Sequence, residues 1–170
     1  MSWTDFYRRR DALDAVLEQA RRDPEGSLPF AEVADVFAGP EDLLLALHYK
    51  WTMKLTGQLG VALSEASRDL DVDLVDAVMA GWRATAAEHA TLRRLLDAGV
   101  AEHPEALRPA IEGEQRLLAL AAGLADPHET TEEITRVGAT LLVLLRNAPE
   151  RPSRRRGPVE QLLRRLVPSA

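Results

Sequence analysis

The sequence predicts an all-α fold: a single-domain bundle of about six helices around a long central helix, with a short amphipathic helix at the C-terminus. Three observations carry that expectation. Apolar residues recur at three- and four-residue steps along most of the 170 residues. No stretch alternates with period two for long enough to make a strand, and no segment repeats at a fixed period. Clusters of Pro, Gly and Asp fall where helices of ordinary length would end. A chain of this length can bury a core of its own as one domain.

The first helix is expected over residues 3–22. Ser2 and Asp5 favour its start, Trp3, Phe6, Arg10, Leu13, Leu17 and Ala20 form a stripe, and Arg21 and Arg22 suit the negative end of the helix dipole. A short helix over 29–37 would turn Phe30, Val33, Ala34 and Phe37 inward. The central helix is the long apolar stretch 40–67. Gly39 serves as its N-cap, Pro40 suits the first helical position, and Glu41 and Asp42 suit the positive end of the dipole. Leu44, His48, Trp51, Leu55, Leu59, Ala62 and Ala66 share one face. Leu43, Leu45, Leu47, Met53 and Leu63 make other faces apolar, which places this helix in the middle of a bundle. Unbroken, it would run about 42 Å at 1.5 Å per residue. Gly57 and Gly60 predict a kink or a close neighbouring helix.

The acidic run at 69–73 supplies a turn and a cap, and one continuous helix is expected over 73–101 with Val75, Val78, Trp82, Ala86, His89, Leu92 and Leu96 on one side. A further helix restarts near Pro109 and runs to Leu124, carrying Ile111, Leu117, Leu118 and Ala121. Thr130 and Glu133 form a capping box for the last body helix, which ends near Asn147 with Ile134, Val137, Leu141, Leu144 and Leu145 inside. The body is therefore 1–148, followed by an Arg/Pro linker over 149–157 and a docking helix over 158–170.

Composition narrows the function classes. The absence of cysteine removes disulfides, thiol catalysis and thiolate metal sites. Lysine occurs only at Lys50 and Lys54 against nineteen arginines, which points to a G+C-rich bacterial genome. Asp5 and the arginines at 8–10 stand where a signal peptide would have its apolar run, and no uncharged stretch approaches the ~20 residues that span a bilayer. A cytoplasmic location and no integral membrane segment are the expectations. Charge is uneven: residues 1–150 carry a net −11 and residues 151–170 a net +5. An acidic body argues against nucleic acid as the partner.

No spacing of ligands calls for a metal or other cofactor. Each of the four histidines lacks the glutamate three residues earlier that an inward Glu-x-x-His iron site needs. His103 and His128 adjoin prolines at helix ends, whereas His48 and His89 fall on apolar faces near Trp51 and Trp82. Such imidazoles are ordinary core-edge groups, and the sharper expectation is a ligand pocket lined by His48, Trp51, Trp82 and His89, with Thr52, Thr85 or Gln58 as polar partners.

Two short patterns resemble known motifs. Arg83 and His89, with five residues between them, resemble the Arg-(four to six residues)-His signature of HEPN-type RNases, which are also helical bundles. That resemblance implies a pair acting at a scissile phosphate across a dimer. It departs at Ala84, where the family carries a polar residue, and a six-residue step turns the two side chains apart on a helix. Residues 30–49 resemble a helix-turn-helix, with Val33, Ala34, Phe37, Leu44 and Leu47 at its buried positions and Ala38 and Gly39 in the turn, implying a transcriptional regulator. Its second helix would present Glu41 and Asp42 to the groove, and neither reads base edges as Arg, Asn or Gln would.

The tail carries the remaining signal. Arg154, Arg155, Arg156, Arg164 and Arg165 bracket an apolar stripe of Val159, Leu162, Leu163 and Leu166. Ten residues fall short of the ~12–15 that sustain a helix alone in water, so this segment needs a surface. Protein docking, in cis or on a partner, fits better than an anionic membrane surface because the stripe has no aromatic residue. The expectation is thus a non-enzymatic regulatory or adaptor protein acting by protein–protein interaction or self-association, with the regulator and the RNase as alternatives.

Overall fold

The computed structural model describes residues 3–68 and 72–147, and every regular element in it is a helix. Its elements are α1 (Trp3–Arg22), a 3-10 turn (Phe30–Val33), α2 (Pro40–Ala66), α3 (Leu74–Glu88), α4 (Ala90–Glu102), α5 (Pro104–Ala121) and α6 (Thr131–Asn147), with no strand among the described residues. The linker and docking helix expected over 149–170, and with them the arginines at 154–156, 164 and 165 and the stripe at 159, 162, 163 and 166, lie outside the described residues.

Helix starts follow the local chemistry. Gly39 caps α2 in an extended conformation with Pro40 next to it. The Asp73 side chain accepts from Val75 N at 2.7 Å and Asp76 N at 3.4 Å, satisfying two free amides of α3. Thr130 and Glu133 close the capping box of α6 in both directions, Thr130 N donating to Glu133 Oε2 at 3.1 Å and Glu133 N to Thr130 Oγ1 at 3.3 Å.

The core forms around α2, whose Leu43, Leu44, Leu47, Trp51, Leu55 and Leu59 are buried. They pack with Val16 of α1, Val78 and Trp82 of α3, Leu92 and Leu96 of α4, Leu107 and Leu118 of α5, and Leu141 of α6. Two glycines set close approaches. A Cβ on Gly99 would overlap the Leu44 side chain, and one on Gly138 would collide with the backbone of Gln115, so α6 lies directly on α5 there.

Several expectations need correction. The helix expected over 73–101 is two helices, broken at His89, whose φ of −116° and ψ of 42° leave the helical region. Val78, Thr85, Leu92 and Gly99 step by sevens and are all buried, so the apolar period runs through the break and conceals it. The helix expected from Pro109 starts at Pro104, with Pro109 inside it. Pro109 is exposed, so the hydrogen bond it cannot make falls on the solvent face. Residues 29–37 form a four-residue 3-10 turn in place of a helix.

The buried faces of two helices are also rotated. In α1 the small residues Ala12, Val16 and Ala20 are buried, while Trp3, Phe6 and Tyr7 are exposed. In α6, Gly138 and Leu142 join Ile134, Leu141 and Leu145 inside, and Leu144 is exposed, because the close contact at Gly138 fixes the rotation. Finally, α2 keeps a solvent face. Tyr49 is 69% exposed and Met53 57%, with Leu45 and Val61 also open to water. Gly57 and Gly60 are exposed, and nothing lies within 4 Å of a Cβ built on either, so neither marks a helix crossing in the bundle.

Candidate functional site

Glu114 of α5 is the most deeply buried acid among the described residues, at 2% exposure, and side chains from three other helices converge on it. It occupies a position on an otherwise apolar stripe with Leu107, Ile111 and Leu118, so the helical period carries it inside. Trp82 of α3 donates its indole N–H to Glu114 Oε1 at 2.9 Å. Arg93 of α4 approaches both carboxylate oxygens through Nη1, at 3.5 and 3.4 Å. His48 of α2 places Nε2 3.5 Å from Oε2.

Arg93 extends the cluster outward. Its Nε and Nη2 donate to Asp97 Oδ1 at 3.2 and 2.7 Å, and its guanidinium lies 5.0 Å from the ring centre of Trp51. Trp51 in turn meets Trp82 edge to face at 6.0 Å and 77°. Arg146 of α6 reaches the same Asp97 oxygen at 3.1 Å. One continuous polar chain, His48–Glu114–Arg93–Asp97–Arg146, therefore ties α2, α5, α4 and α6, and Trp82 adds α3.

Burial is the largest single influence on Glu114 and pushes its carboxyl up. His48, the positive charge of Arg93 and the Trp82 N–H oppose it and together hold the group down to about 2. His48 Nε2 lies 3.5 Å from Oε2 without a hydrogen bond of its own, while Trp82 and Arg93 donate to the carboxylate directly. A carboxylate held that low does not take up a proton near neutrality, and both of its oxygens are engaged in a site closed to solvent. The arrangement suits it to locking helices and unsuits it to general base chemistry.

Of the residues expected to line a pocket, the structure brings His48, Trp51 and Trp82 together, and the Glu114 carboxylate and the Arg93 guanidinium pack among them. His89 stands at the α3–α4 break, half-buried, with Nε2 3.7 Å from Glu88. Thr52 hydrogen bonds the His48 carbonyl at 3.0 Å, and Thr85 that of Gly81 at 2.8 Å. The break also means that Arg83 and His89 do not share one helix. In the 30–49 segment, Asp42 accepts from Arg9 at 3.0 Å and from Ala38 N at 3.1 Å, while Glu41 lies 3.3 Å from His103, so these acids fasten the start of α2 to α1 and to the end of α4.

Sequence reasoning passed over Glu114 and Arg93, although each had a signal. Glu114 interrupts an apolar stripe, and Arg93, paired with Arg94 between Leu92 and Leu95, has Asp97 one turn on. Elsewhere an open cleft of about 460 Å³ between α5 and α6 is lined by Glu112, Thr131, Glu132, Thr135, Arg136 and Ala139. Among the described residues no group of His, Asp and Glu is placed to hold a metal ion, and no helix is long and apolar enough to cross a membrane.

No family model, curated protein or solved structure matches the chain.

Proposed function

We propose that this protein is a non-enzymatic regulatory or adaptor module that works by binding other proteins in a bacterial cytoplasm. The observation that carries the reading is the aromatic cluster at the start of α1. Trp3 is 78% exposed and is joined by exposed Phe6 and Tyr7, with ring centres 5.7 to 6.4 Å apart. Three large aromatics that pack on one another in water, while small alanines face the core, match the anchors that carry binding energy at protein interfaces. Arg10 lies 4.9 Å from the Tyr7 ring centre, giving the cluster a cationic rim. The basic segment 158–170 supports the same reading as a second docking element on an acidic body.

The test is affinity capture with the full chain and with a Trp3→Ser/Phe6→Ser/Tyr7→Ser variant. The expected result is a discrete protein retained by the first and lost from the second, both melting within a few degrees of each other. Equal retention by both, or RNA cleavage by the full chain that His89→Ala abolishes with the fold intact, would overturn the reading.

A further inference from the structure

One end of the bundle carries apolar surface that its own helices leave open. There α2 gives way to α3, and α5 turns back into α6. Val72 and Leu74, where α3 begins, and Leu120 and Leu124, where α5 ends, are all exposed. The two pairs adjoin. Leu74 Cδ1 lies 3.7 Å from a Cβ built on Gly123, the left-handed residue that stops α5 just before Leu124. Charge around this patch has one sign. Residues 72–76 and 122–130 carry Asp73, Asp76, Asp126 and Glu129 and neither lysine nor arginine. Asp73 and Asp126 accept from backbone amides at 2.7 and 2.8 Å, and among the described residues no salt bridge reaches any of the four carboxylates. Elsewhere on the body Asp35, Asp42, Asp97 and Glu132 each hold an arginine.

We propose that this acid-rimmed patch is the docking site of the chain's own C-terminal segment, 149–170, bound in cis. Length and starting point select that occupant. α6 ends at Asn147, and at 1.5 Å per residue its 17 residues run about 25 Å back to the α5–α6 turn. Residues 148–157 can span at most ~33 Å at ~3.3 Å each, enough to return along α6 to that turn. Pro158 then opens the amphipathic stretch next to the exposed leucines. Val159, Leu162, Leu163 and Leu166 offer one aliphatic stripe to an aliphatic patch. Arg154, Arg155 and Arg156 on one side of the stripe, and Arg164 and Arg165 on the other, meet carboxylates that have no cation. So short a segment gains its helix only on a surface. A tether of this length also keeps it near the patch at an effective concentration on the order of millimolar, which a second copy's tail does not have. The proposal rests on the reading of 158–170 as a docking element and is independent of the aromatics of α1.

Hydrogen exchange on the full chain at low micromolar concentration tests this. Amides of 160–167 are expected to exchange at least tenfold slower than in an unstructured peptide of the same sequence. Leu74→Ser/Leu124→Ser, at exposed positions, is expected to abolish that protection while the body melts within a few degrees of the wild type. Leu162→Ser/Leu163→Ser, which leaves the body untouched, is expected to do the same. The chain has no cysteine, so pairs of introduced ones give a direct readout. Leu120→Cys/Leu163→Cys is expected to close an intramolecular disulfide on mild oxidation, and Tyr49→Cys/Leu163→Cys is not. Exchange at the unstructured rate throughout 158–170 overturns the proposal, as does protection that survives Leu74→Ser/Leu124→Ser. Protection that grows with protein concentration, together with disulfide-linked dimers, overturns it in favour of a second copy's tail. Trp3→Ser/Phe6→Ser/Tyr7→Ser should leave the tail's protection unchanged, so loss of partner capture and loss of cis docking are read separately.

Discussion

Replacing Glu114 by Gln keeps the shape of the side chain and an acceptor for the Trp82 indole, and it removes the charge that faces Arg93. The ionised carboxyl is held at about 2 against an ordinary 4.5, and at 1.36 kcal/mol per unit of pKa that is worth about 3 kcal/mol near neutrality. Breaking a buried ion pair from one side costs about 3–5 kcal/mol, because the remaining charge is stranded. Arg93 keeps Asp97 at 2.7 Å, which puts the expected loss at the lower end, about 3 kcal/mol. The sign with pH follows from the direction of the shift. Glu114 has a depressed pKa in the folded state, so its contribution is complete above the unfolded value of 4.5 and fades as pH falls toward 2. Urea unfolding of both proteins, repeated from pH 7 down to pH 3, reads this directly. The gap between them should be about 3 kcal/mol at pH 7 and should narrow steadily below about pH 4.5. A gap under about 1 kcal/mol, or one that does not change with pH, would refute an ionised, charge-paired Glu114. The double substitution Glu114→Leu/Arg93→Met should recover much of the loss, since removing both charges strands neither.

Other perturbations read other parts of the structure. Gly138→Ala drives a methyl into the Gln115 backbone and should cost about 3 kcal/mol or more in a thermal or urea melt, by forcing α5 and α6 apart. Gly57→Ala meets open space at an exposed helix position and should raise monomer stability by about 0.5–1 kcal/mol, measured in dilute solution. Thr130→Ala opens the capping box of α6 and should cost about 1 kcal/mol, with faster amide exchange confined to the first turn of that helix.

Helix positions and caps were legible where the signal is local. Gly39 with Pro40, Asp73, and Thr130 with Glu133 each name a helix start by their own hydrogen-bonding chemistry, and the structure uses each of them. The nearness of Trp51 to Trp82 was legible too, because both fall on the apolar faces of neighbouring long helices. What local pattern cannot supply is rotation and interruption. The break at His89 leaves the seven-residue spacing from Val78 to Gly99 intact, so periodicity reads straight across it. The face that α1 buries is chosen by the room beneath it, which accepts Ala12, Val16 and Ala20 and leaves Trp3, Phe6 and Tyr7 in water. Glu114 shows the same limit: a lone acid on an apolar stripe signals burial only once partners are known, and Arg93 and Trp82 lie 21 and 32 residues away in sequence.

The buried cluster around Glu114 holds the helices together, and binding is proposed for the exposed aromatics of α1. The sharpest single test is partner retention by the full chain carrying Glu114→Gln, measured beside that of Trp3→Ser/Phe6→Ser/Tyr7→Ser at a temperature where both are folded. Glu114→Gln should melt earlier yet retain the same partner as the wild-type protein, and the triple variant should melt like the wild type yet lose it. The opposite pattern, with retention following the buried charge and ignoring the exposed rings, would contradict that division.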